Sequence, residues 1–144
     1  MEIKETLYRY ALEHLNDLHD GDEVFESVCH EIVKYSLPDY HFVKPSGGNG
    51  PRDGGRDGFD ANKNCRMACA TRKDYEKKLD EEIGKCKQEN ELFFFSNQKI
   101  PETQKITLEE KYKSKIKLRI FSWADLAESI TKIPNTLELK KVRI

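Results

Sequence analysis

The residues of this chain best suited to chemistry lie in one glycine-rich stretch, SGGNGPRDGGRDGFD, running from Ser46 to Asp60. Asp53, Asp57 and Asp60 are interleaved there with Arg52 and Arg56, and hardly an apolar group separates them. Glycine and aspartate favour turns, and a solvated turn carries no chemistry of its own. The same composition also suits a loop that delivers an aspartate to a metal ion or a phosphate.

Several familiar uses of such residues do not fit. No lysine-serine or lysine-threonine pair follows the glycines, so neither a Walker loop nor a dinucleotide fingerprint is present. Asp60, Asn62 and Asn64 imitate the start of an EF-hand, but Cys65 stands where its glycine belongs and Thr71 where its bidentate glutamate belongs. Cys65 and Cys69 have odd spacing and no histidine beside them, which makes them core residues rather than zinc ligands. His14, His19, His30 and His41 form no ligand pair of helical or hairpin spacing and receive no role.

The elements that must position the loop can be read on either side of it. Ile3, Leu7, Tyr10, Ala11, Leu15 and Leu18 recur at helical spacing up to the turn HDGD. Val24, Phe25, Val28, Cys29, Ile32 and Tyr35 form the stripe of a second helix, with Asp22 as N-cap and Pro38 at its end. YHFVK, GFDA and CRMACA read as short strands. The segment after Thr71 reads as a helix with a capping-box-like Thr71 and Asp74 and a narrow stripe of Tyr75, Leu79, Ile83 and Cys86. ELFFFSN reads as a strand buried on both faces and IKLRIF as the next strand, before a closing helix capped by Ser122 and Asp125. This order predicts an α/β (α+β) domain with a mixed central sheet flanked by helices.

With 144 residues, the chain has the length of one domain. Its 25 basic and 26 acidic residues leave a net charge of -1, so any attraction for polyanions must be local. No signal peptide or membrane-length apolar run is evident, and the expectation is a cytoplasmic protein with Cys29, Cys65, Cys69 and Cys86 reduced and zinc-free.

Taken in order, Phe25-Glu26 on a helix, the turn Asp53-Gly54-Gly55-Arg56-Asp57-Gly58, the strand RMACA and the helix TRKDYEKKLDEEI resemble the PD-(D/E)xK nuclease superfamily. The likeness is to its Mrr-like restriction-endonuclease group, and it covers most of the chain from Val24 to Ile130. The resemblance implies a restriction-endonuclease-like core over residues 22–134, preceded by an N-terminal helix at 1–21 and followed at 135–144 by the start of a linker or further element.

The implied activity is metal-dependent hydrolysis of DNA phosphodiester bonds, in the effector module of a larger bacterial anti-phage defence protein. Asp57 and Glu26 would hold Mg2+, with Mn2+ able to substitute, and Lys78 would act on the charge developing at the phosphate. Arg52 and Arg56 would contact phosphates of double-stranded DNA, and Asp53 would support the loop. Helical periodicity leaves Glu26 and Glu31 equivalent, on opposite edges of the apolar stripe; the resemblance selects Glu26. Further domains of a longer polypeptide and a homo-oligomer are the implied partners, because cutting both strands calls for two active sites.

One part of the pattern is missing. The strand after the aspartate usually carries an acid or glutamine, one intervening residue and a lysine, and this chain has Ala68-Cys69-Ala70. Three explanations stand: an inactive domain, a mutated segment, or a lysine supplied from elsewhere, for which the helix segment KDYEKKL provides Lys78. The alternative function is therefore a catalytically degenerate nuclease fold that binds nucleic acid or a partner.

Overall fold

The computed structural model describes residues 21–43 and 57–131. The expected N-terminal helix, most of the glycine-rich loop with Arg52, Asp53 and Arg56, and the 135–144 segment lie outside the described residues. Among the described residues the chain is mixed α/β, with four helices and a four-stranded mixed sheet.

Helix α1, Gly21–Ser36, forms where Phe25, Val28, Cys29, Ile32 and Val33 recur at three- and four-residue spacing, and all five are buried. Pro38 disfavours helical geometry in the residue before it, and the chain leaves the helix there. A hairpin follows. Strand β1, Gly58–Asp60, pairs antiparallel with β2, Cys65–Ala70, and Asn64 turns the chain between them at φ 52. The Asp60 carboxylate fastens that turn by accepting bonds from the backbone N–H groups of His41 and Lys63. Burial works against its charge, but these bonds outweigh it and hold the carboxyl below its ordinary pKa.

From β2 onward the sheet is parallel, so each strand needs a crossover rather than a hairpin. Helix α2, Tyr75–Lys85, leads to β3, Glu91–Ser96; helix α3, Glu102–Tyr112, leads to β4, Lys117–Phe121; helix α4, Trp123–Thr131, follows. The strands lie in the order β1-β2-β3-β4. Every residue of β3 is buried, and its side chains alternate between two cores. Phe93 and Phe95 join Cys65, Met67, α1 and α4 on one face, while Leu92 and Phe94 join Ala68, Ala70, α2 and α3 on the other. Burying side chains of this size stabilises by about 1.5–3 kcal/mol each.

Several details differ from the expectations of the sequence: Asp22 lies inside α1 rather than at its N-cap, and Tyr35 is exposed rather than part of its buried stripe. YHFVK provides only an isolated bridge, Val43 to Phe59, rather than a strand. Helix α2 begins at Tyr75 rather than Thr71, and the Asp74 side chain caps no amide, pairing instead with Arg72 at 2.7 Å. Helix α3 has no counterpart in the sequence reading. Its apolar stripe is thin: Leu108 and Tyr112 are buried, Ile106 is 58% exposed, and the buried Lys105 is neutralised by Asp125 at 2.6 Å. The Ser122–Asp125 cap does form, with the Asp125 carboxylate accepting from the Ser122 N–H at 2.9 Å.

Among the described residues no helix is long and apolar enough to cross a membrane. The four cysteines are free.

Candidate active site

Asp57 stands where the chain enters β1. Its backbone N–H donates to Met67 O at 3.0 Å, and its Oδ2 accepts the Cys69 N–H at 2.5 Å. These two bonds fasten the aspartate to the C-terminal half of β2, and the residue is only 8% exposed. Asp57 is therefore a seated carboxylate rather than a swinging loop side chain. In an open sheet with parallel strands, the carboxyl ends of the strands are the usual place for ligands.

Glu26 reaches the same place from α1. It is half-buried, one residue beyond the buried Phe25. Cys29 on α1 and Cys69 on β2 share a side-chain hydrogen bond, and the negative charges of both Asp57 and Glu26 fall on that thiol pair. Burial is the largest influence on both thiols and raises their pKa values, and the carboxylates push them further up. Thiols kept neutral in this way leave the Asp57 and Glu26 carboxylates, rather than sulfur, as the donors on offer. Such a donor set suits a hard divalent cation. Among the described residues no group of three or more His, Cys, Asp or Glu side chains surrounds a metal position, so Asp57 and Glu26 supply only part of a coordination sphere.

His30 belongs to this neighbourhood, although its spacing in the sequence gives it no role. Its Nε2–H donates to the carbonyl oxygen of Asp57 at 3.0 Å, across 27 residues of chain. A Cβ on Gly58 would lie 3.0 Å from His30 Cε1, 3.1 Å from Met67 Sδ and 3.2 Å from Phe42 Cβ. Glycine at 58 thus lets α1 close onto the strand that presents Asp57. One signal was available: His30 is one helical turn beyond Glu26 on the same face.

Lys78 is not brought to the carboxylates. Its Nζ lies 3.0 Å from Glu82 Oε2, on the helix that packs against the sheet face opposite α1. Glu82 is also bound by Lys85 at 3.3 Å and by Arg66, a fully buried arginine on β2, at 3.2 Å. Arg66 pairs as well with Glu89 at 3.2 Å. This network supports the sheet, and Lys78 is part of it.

No family model, curated protein or solved structure matches the chain.

Proposed function

We propose that this chain is a metal-dependent DNA endonuclease domain of restriction-endonuclease-like fold, and the effector module of a larger defence protein. The observation that carries the reading is the seating of the Asp57 carboxylate on the Cys69 N–H at the carboxyl end of β2, with Glu26 on α1 near enough for its charge to act on the same Cys69 thiol. Asp57 and Glu26 would hold Mg2+ or Mn2+, which supplies charge neutralisation at the phosphate and acidification of the attacking water. The chain's own contribution is positional. The Cys69 N–H and the Met67 carbonyl fix Asp57, and His30 fixes its peptide from the other side. To serve the developing phosphate charge as well, Lys78 would have to leave Glu82 and reach around the sheet from the face opposite α1.

A second reading is favoured by a specific observation. Ala68-Cys69-Ala70 carries neither the acid nor the lysine of the usual pattern, and Lys78 is engaged by Glu82. A degenerate nuclease fold that binds double-stranded DNA without cutting it has these properties. Incubation with plasmid and Mg2+ or Mn2+, with EDTA as control, separates the two: cleavage supports the enzyme, and salt-sensitive binding alone supports the binding module.

A further inference from the structure

A groove of about 460 Å³ runs between α1 and the segment 38–43, lined among others by His30, Glu31, Lys34, Tyr40, His41 and Phe42. We infer that it is a subsite for one unpaired nucleotide of the nucleic acid bound at Asp57 and Glu26. The choice of a nucleic acid as occupant rests on the nuclease reading.

Four observations point to this ligand. The groove adjoins the carboxylate site, because His30 lines it while donating to the Asp57 carbonyl oxygen. Its floor is preorganised: Tyr40 and Phe42 stack at 5.8 Å with their rings 11° apart, Tyr40 also packs on Phe93, and its hydroxyl donates to Glu91 at 2.9 Å. Such a half-buried aromatic wall offers an apolar surface to a base. Exposed Lys34 stands at the groove with the exposed His41, which gives N–H donors of the kind that meet phosphate oxygens. Finally, Glu31 lines the groove, and its buried Oε2 has no hydrogen-bond partner in the protein. A buried carboxylate oxygen without a donor is costly, and an exocyclic amino group such as cytosine N4 supplies that donor.

Glu31 makes the inference testable by sign. On charge alone, removing a carboxylate should tighten binding of any polyanion. If Glu31 takes a base amino group, its removal weakens binding of amino-bearing bases.

The experiment measures fluorescence anisotropy of labelled single-stranded oligo(dC) and of an abasic strand of equal length, in EDTA, with the full chain. The parent should bind oligo(dC) several-fold more tightly than the abasic strand. Lys34→Ala should weaken both strands about equally. Glu31→Ala should abolish most of the preference for oligo(dC), whereas Glu31→Gln, which keeps an acceptor, should retain much of it, with thermal melts confirming folded variants. Equal binding of the two strands by the parent, or tighter oligo(dC) binding by Glu31→Ala, would overturn the subsite. Plasmid cleavage by the same samples separates the two ideas. A parent that cuts but shows no base preference loses only the groove, and a parent that shows the preference but never cuts loses only the catalytic reading.

Discussion

Asp57 accepts a 2.5 Å hydrogen bond from the backbone N–H of Cys69, so the aspartate proposed to hold a metal is also part of the sheet. Its two roles separate by substitution. Asp57→Ala strands a buried amide and should cost about 1–3 kcal/mol as well as activity. Asp57→Asn keeps an acceptor for Cys69 and should melt close to the parent while cleavage falls at least about a hundredfold, the scale expected when a group that stabilises transition-state charge is lost. Retained cleavage by Asp57→Asn removes Asp57 from the site.

Glu26 and Glu31 provide an internal control on one helix. Glu26→Gln should lower plasmid cleavage and raise the Mg2+ concentration needed for half-maximal rate. Glu31→Gln should leave the metal requirement unchanged. A shift in metal requirement with Glu31→Gln alone would place the metal on the other edge of α1.

Lys78 is tested against its neighbour Lys77. Lys78→Ala gives up a partly exposed pair with Glu82, worth about 1 kcal/mol or less. If the lysine also serves the phosphate, cleavage drops far more than this loss explains, with Lys77→Ala unaffected. Parent-like cleavage by Lys78→Ala removes it from the mechanism and leaves it as a support of Glu82.

The Arg66–Glu82 network should dominate acid stability. Burial raises the pKa of Glu82, but Lys78, Lys85 and Arg66 together outweigh it and hold the folded value below the ordinary one. In the unfolded chain Glu82 titrates near its ordinary value of about 4.3. The pair's contribution is therefore fully present above that pH and is lost as pH falls through the lower folded value. Glu82→Ala removes one carboxylate partner of the buried Arg66 and should cost about 3–5 kcal/mol at neutral pH. Its denaturant midpoint should also fall less steeply with acid than that of the parent, and an identical slope would assign the acid sensitivity to other carboxylates.

The parts legible in the sequence were those written in local pattern. ELFFFS announces a strand buried on both faces because it has no polar residue between its ends, and the α1 stripe is visible for the same reason. Helix α3 was not legible, because Lys105 fills a core-facing position that Glu102 and the distant Asp125 together make tolerable. Arg66 in CRMACA is a similar case, since its partners Glu82 and Glu89 lie 16 and 23 residues away. Asp57 and Glu26 stand out in the sequence by resemblance rather than by periodicity. His30 escaped because its contact with Asp57 spans two elements and involves a backbone oxygen, which no spacing rule encodes.

The central claim is tested most directly by the fate of supercoiled plasmid incubated with the full chain and Mg2+ or Mn2+, followed on a gel beside an EDTA control and the Asp57→Asn variant. The account predicts nicked or linear DNA with the parent and metal, and intact plasmid with EDTA or Asp57→Asn. Intact plasmid with the parent at every protein and metal concentration, alongside salt-sensitive DNA binding, would contradict it and leave a binding module.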